Sequence, residues 1–316
     1  MRAPTGSAAA SFSNQALARG RLYVLAATVF WGTTATLARF VFRDREVPAL
    51  TVVEIRLAVA ALLLGAWLAG RHPEALRVRR EDWGYFLVLG VLGVATVQGT
   101  YYYSISVLGV GLAILLQYLA PCLLVIYDAI RGVPVRPLTV VAVLGALLGT
   151  GLLVGGVDRV TLNASPWQWA IGFSSALAFS FYILYSKRGL RHYRPETVLF
   201  YTFVIAALVW AVVTPPWRIA SAGYDAGLWG MFAVLGIFST LVPFSLFYAG
   251  LRQLPAAQVG ILATLEPVVA VVSAAVFLAE NLGLAQWAGA VMVLAASTLA
   301  SRHHAPETIA AQAEHG

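Results

Sequence analysis

Charge is scarce in this sequence: only 11% of its 316 residues are Asp, Glu, Lys or Arg, while 60% are hydrophobic. A water-soluble domain carries about 25% charged residues, so a soluble globular chain is excluded. Cysteine is limited to Cys122, which excludes an intrachain disulfide and a cysteine metal cluster. The five histidines, at 72, 192, 303, 304 and 315, fall between or beyond the long apolar runs. There is no HExxH, GxSxG or Walker loop, and no acidic cluster suited to a metal or a pyrophosphate. No catalytic residue, metal or cofactor is therefore expected, and any work the protein does must run on gradients. The net charge of +7 does not indicate nucleic acid, because the basic residues sit in short loops between apolar segments.

What the chain has instead is apolar length. A membrane span needs about 20 mainly apolar residues. Ten runs qualify, at 22–42, 48–69, 83–104, 109–130, 137–157, 166–186, 195–213, 227–250, 255–279 and 283–301. Lipid cannot satisfy open backbone groups, so each run must be helical. Trp83, Trp167, Trp169, Trp217 and Trp287 fall at run ends, where aromatic belts are expected. Residues 1–21, rich in Ala and Ser without an apolar core, read as a disordered cytoplasmic tail, and 302–316 as a second one. With the N-terminus inside, only Arg43, Arg45, Arg159 and Arg218 of the 21 Lys and Arg face outward. Arg39 and Arg56 lie within runs, and the other fifteen face the cytoplasm. That bias sets both termini inside.

The chain also repeats itself. A shift of 146 residues places Tyr102 on Tyr248, Leu108 on Leu254, Leu116 on Leu262, Leu119 on Leu265 and Pro121 on Pro267. Pro48 and Pro195 open the second run of each half, and Arg39 and Lys187 close the first. The halves, 22–157 and 166–301, contain five runs each. An odd number of helices per repeat forces the copies into opposite orientations, a recurring transporter plan with its site between the repeats. The expected fold is an all-α membrane protein of ten transmembrane helices built from two inverted five-helix repeats.

Over residues 22–301 the chain resembles the EamA-type permeases of the drug/metabolite transporter superfamily. The resemblance is carried by Trp31-Gly32, Arg56, the LLQYLAP of 115–121, the LEP of 265–267, and Glu280 followed by the Gly289-containing last run. It implies a secondary transporter of the inner or plasma membrane, with helices around a central cavity and small metabolites such as amino acids as exported substrates. Two other readings stay open: a polytopic membrane enzyme acting on lipid-linked substrates, and a carrier of larger substrates such as nucleotide sugars. The lipid bilayer and a small-molecule substrate are the expected partners, with no nucleic acid, and a monomer is the expected state.

Each ionisable group inside a span costs roughly 2.5–3.5 kcal/mol on insertion scales and needs a reason. Arg39 can snorkel to the near surface, and Asp128 can pair with Arg131 one turn on. Glu54 lies near a run end and reads as structural. Arg56 is deeper, and Glu54, two residues away, projects to another face, so Arg56 requires a partner on another helix or a watery cavity. Glu266 is deepest, about ten residues from either end of its run. It is expected to couple transport to protons, its charge favouring a hydrated state and its neutral form permitting the crossing; direct binding of a substrate amine and bracing of the kink beside Pro267 are the rival readings. Pro121 and Pro267 cannot donate to the carbonyls of Gln117 and Ala263, so both are expected to kink their helices. Trp31, Arg56, Tyr102, Gln117, Tyr118, Tyr182 and Tyr248 are the candidate substrate-binding residues, since a small amphipathic molecule wants apolar walls with a few polar handles. Glu280 is expected to bond loop backbone at the end of the ninth run.

Overall fold

A computed structural model describes residues 6–43, 45–108, 110–155, 165–278 and 282–303. Asp158, Arg159 and Glu280 lie outside the described residues, as do residues 1–5 and 304–316. Among the described residues the chain is nearly all helix, with no strand. The helices are α1 (Gly6–Arg43), α2 (Ala49–Arg71), α3 (Arg80–Ile105), α4 (Gly111–Ile130), α5 (Pro137–Leu153), α6 (Pro166–Gly189), α7 (Pro195–Val213), α8 (Ala226–Gln253), α9 (Ala256–Ala263, resuming as Leu265–Leu278) and α10 (Leu284–His303). Eight of them are long and apolar enough to cross a membrane. α5 is equally apolar at 17 residues, and α1 is the longest at 38.

Local chemistry explains where these helices start. Pro137, Pro166 and Pro195 occupy first helical positions, where the missing N–H costs nothing. Ser165 caps α6 reciprocally with Gln168: the Ser165 amide donates to Gln168 Oε1 at 2.8 Å and the Gln168 amide to Ser165 Oγ at 3.4 Å. Asp225 caps α8 by accepting from the Leu228 amide at 2.8 Å. Within α1, Thr33 and Thr34 donate to carbonyls one turn back, at 2.7 and 2.6 Å, which satisfies their hydroxyls in an apolar helix.

The start of α1 differs from the sequence expectation. Residues 6–21, read as part of a disordered tail, continue the helix. Leu17 is buried, and Gly20 lies against Gln253 and Leu254 at the end of α8. The segment lacks the apolar run of a span, and it meets the end of α8 at Gly20.

The halves interlock rather than sit side by side. α1 packs on α8, α3 on α6, α2 on α7, and α5 on α10. The α5–α10 crossing is close enough that a Cβ on Gly149 would lie 2.8 Å from the Gly289 carbonyl. Leu62, Val212 and Leu284 are among the large apolar side chains left on the outer surface. In water such exposure would be a liability; in lipid it is the solvated surface.

Two features recur at the 146-residue shift. α3 is π-helical over Leu89–Ala95, and α8 over Leu235–Leu241. Within these stretches Gly90 meets Ile205 of α7 and Gly236 meets Val59 of α2. A Cβ on either glycine would fall 2.6 or 2.5 Å from that neighbour, so only glycine allows the approach. Val59 shifted by 146 is Ile205, so each half makes the other's contact.

Candidate functional site

Arg56, 5% exposed on α2, cannot remain buried without partners, and it finds them on two other helices. Its Nε donates to Thr240 Oγ1 at 2.9 Å and its Nη2 to the Ser239 carbonyl at 3.3 Å, both on α8. Its Nη1 donates to the Tyr102 hydroxyl on α3. The Ser239 carbonyl is available for a local reason. Pro243, four residues on, has no N–H to offer it, and the π-helical turn loosens the ladder there.

Glu266 lies within electrostatic reach of Arg56. α9 is interrupted at Thr264, three residues before Pro267, and Glu266 falls in the first turn of the resumed helix, where the dipole favours a carboxylate. Its Oε2 accepts from the Tyr118 hydroxyl at 2.8 Å. Tyr118 occupies the break in α4, which runs helical to Gln117 and resumes at Ala120, one residue before Pro121. The two interrupted helices cross where Gly260 of α9 meets Leu124 and Pro121 of α4.

Arg56 and Glu266 act on one another electrostatically, and Tyr101 feels both. No salt bridge joins them among the described residues; their hydrogen-bond partners are hydroxyls and a carbonyl. Two further polar atoms in this region are buried and unpaired, Gln98 Nε2 on α3 and Gln117 Oε1 on α4. Glu54 is buried too, with one oxygen unpaired. Asp128 lies within electrostatic reach of Lys187 of α6, whose Nζ donates to the Leu254 carbonyl.

The remaining candidates form a second group. Trp31 packs edge-on against Phe244 at 5.1 Å and tilts against Phe247 at 5.4 Å. Tyr182 stacks on Phe247 at 6.2 Å and lies 5.8 Å from Tyr248. The Tyr248 hydroxyl is 2.8 Å from Ser186 Oγ. Tyr182 and Tyr248 are fully enclosed. The seven candidates thus divide into a polar group around Arg56, Tyr102, Gln117 and Tyr118, and an aromatic wall of Trp31, Tyr182 and Tyr248. Sequence reasoning missed Ser239 and Thr240. Pro243 was the available signal, since a proline inside an apolar run leaves a carbonyl free four residues back.

Apolar helices with an apolar exterior, enclosing opposite charges where several of them meet, define a multi-pass membrane protein, and relatives make it a transporter. The EamA-like transporter family matches residues 18–155 and again 167–302, and the chain belongs to that family, within the drug/metabolite transporter superfamily of permeases. An uncharacterized inner membrane transporter of Salmonella typhimurium, YicL, is 27% identical over 291 residues, spanning 90% of this chain and 95% of its own. The threonine/homoserine exporter RhtA of Escherichia coli K12 is 29% identical over 267 residues, 83% of this chain and 84% of its own. A solved crystal structure shares the fold with a TM-score of 0.74 at 21% identity, covering 89% of this chain and 96% of that one.

Proposed function

We propose that the protein is a secondary transporter that exports small metabolites such as amino acids from the cytoplasm by alternating access. In this reading the chain crosses the inner membrane ten times, as inverted halves 22–157 and 166–301, with both termini cytoplasmic. The reciprocal contacts Gly90–Ile205 and Gly236–Val59 support a pseudo-two-fold axis between the halves, and the odd number of helices in each half is what places that axis in the membrane plane. Reporter fusions after Arg80 and Arg194 should read as cytoplasmic, and after Arg159 and Arg218 as outside. A cytoplasmic signal after Arg159 would contradict the inversion.

The observation that carries the functional reading is the burial of Arg56 and Glu266 in one group without an ion pair between them. Isolated buried charges are costly and, in membrane proteins, mark solute or ion paths. Arg56, Tyr102, Gln117 and Tyr118 contact the solute, while Trp31, Tyr182 and Tyr248 form its apolar wall. The helix breaks beside Pro121 and Pro267 let the centre of the site rearrange between its two open states. Glu266, faced by Tyr118, Tyr101 and Arg56, couples solute movement to a proton gradient. In vesicles containing the purified protein, a pH gradient should drive flux of an amino-acid pool, and Glu266→Gln should remove the gradient dependence. Wild-type pH dependence in that variant would refute the coupling role.

A further inference from the structure

Glu54 is a carboxyl that neither solute binding nor the coupling at Glu266 employs. It is 5% exposed, and its Oε2 has no hydrogen-bond partner among the described residues. Arg56, two residues on, projects to another face and is bound to α3 and α8. Helix geometry turns Glu54 toward α7 instead. Thr197, in the first turn of α7, donates to the Ala75 carbonyl just past the end of α2, so the two helices run antiparallel. Along them Gly65 meets Phe200, and a Cβ on Gly65 would fall 2.7 Å from that ring. Glu54 is eleven residues before Gly65, and Thr214 is fourteen after Phe200. These steps are about three and four turns, so both residues return to the contact face at the same end of the pair.

Other polar atoms at this end are also buried and unpaired among the described residues. They are Thr214 Oγ1, Trp210 Nε1 and Gln98 Nε2. The Trp210 ring lies on α3 at Gly99, where a Cβ would be 2.6 Å away. Gln98, the residue before that glycine, is 6% exposed. The set is therefore one carboxyl acceptor and three donors, and each is costly if kept dry. Water resolves all of them, because one molecule accepts from an N–H or O–H while it donates to the carboxylate. A metal cation would satisfy Glu54 but would face two N–H donors that offer it no lone pair.

We propose that Glu54 is a second proton site, distinct from Glu266 and hydrated, between α2, α3 and the ends of α2 and α7 that face outward in the topology above. The carboxylic O–H bond breaks to leave a carboxylate, and the proton passes to water held by Trp210, Thr214 and Gln98. Few ionisable groups surround it. They are Arg56 on α2 itself, Tyr101, Tyr102 and Tyr103 on α3, and Arg39 near the end of α1. α7 has none after Tyr201, and α8 has none between Asp225 and Tyr248. The donors of α3 and α7 thus favour the ionised carboxyl, and burial favours the neutral one, which is the balance a titrating group needs.

The test is infrared difference spectroscopy on the full chain in lipid, without solute, as pH is stepped in light and in heavy water. The wild type should show a protonated-carboxyl band that shifts in heavy water and disappears on alkalinisation. Glu54→Gln should lose that band, and Glu266→Gln should keep it. Trp210→Phe and Thr214→Val leave the carboxyl in place and should each displace the pH of its loss by about one unit. These two variants keep the test open if Glu54→Gln does not fold. Identical carboxyl bands in the wild type and in folded Glu54→Gln would overturn the proposal. A Glu54 band unchanged at every pH would also overturn it, since the carboxyl would then be a neutral packing group. An unmoved titration in both donor variants would overturn the hydrated pocket. Because no solute is present, these outcomes stand apart from the transport reading, which fails on absence of flux.

Discussion

The two halves share a shape and divide the chemistry. At the 146-residue shift the π-helical stretches coincide, the glycine contacts exchange partners, and Pro121 meets Pro267. The polar residues do not repeat. Arg56 becomes Thr202, Glu266 matches Ala120, Gln117 matches Ala263 and Gln98 matches Phe244. Even the shared tyrosines serve different ends: Tyr102 receives Arg56, while Tyr248 rests against Ser186 with Thr202 beside it. Duplication therefore supplied a scaffold in which backbone features must be kept twice. Charge costs stability inside a membrane, and the two charges of the polar group are not duplicated: Arg56 is on α2 of one half and Glu266 on α9 of the other.

The largest effect should come from erasing that asymmetry. Arg56→Thr, which writes the second half's residue into the first, should abolish solute exchange in vesicles, while Thr202→Val at the matching position should leave exchange intact. Equal losses would mean that the two positions are both structural. Next come the shared backbone contacts. Gly90→Ala and Gly236→Ala each press a methyl into a neighbour 2.6 or 2.5 Å away, and each should cost about 1–3 kcal/mol, read as similar drops in Tm. A loss at only one of them would break the structural equivalence.

The hydroxyls sharpen the contrast further. Tyr118→Phe strips Glu266 of its donor and should cost about 1.5–3 kcal/mol, whereas Tyr248→Phe removes a neutral bond to Ser186 worth about 0.5–1.5 kcal/mol. Thermal denaturation of the two variants side by side gives the ranking. The smallest effect lies at the surface, where the Leu228 amide and then Arg45 hold the Asp225 carboxyl below its ordinary range. A carboxyl depressed in the fold contributes stability above its unfolded pKa and loses it as pH falls through the folded value. Asp225→Asn should therefore lower Tm slightly near neutrality, and its Tm should fall less than that of the wild type on acidification.

Much of this was legible in the residues. Low charge and long apolar runs required membrane helices, since lipid leaves backbone groups no other partner. The 146-residue repeat was visible because helix packing and proline breaks need the same residue types in both copies. The depth of Arg56 and Glu266 within their runs marked them as needing an explanation. The helix before residue 22 was not legible, because Ala- and Ser-rich composition does not reveal that Gly20 packs against the end of α8.

The sequence by itself determined the class, the helices and the need for partners to the buried charges, because each follows from local composition against a lipid solvent. Only the tertiary structure decided which partners those would be. Tyr102 is 46 residues from Arg56, Thr240 is 184, and Tyr118 is 148 from Glu266. No local period connects such positions; Arg56 meets Tyr102 through packing within the first half, and Arg56 meets Thr240 and Tyr118 meets Glu266 because the two halves interlock, which leaves two opposite charges within electrostatic reach and without an ion pair.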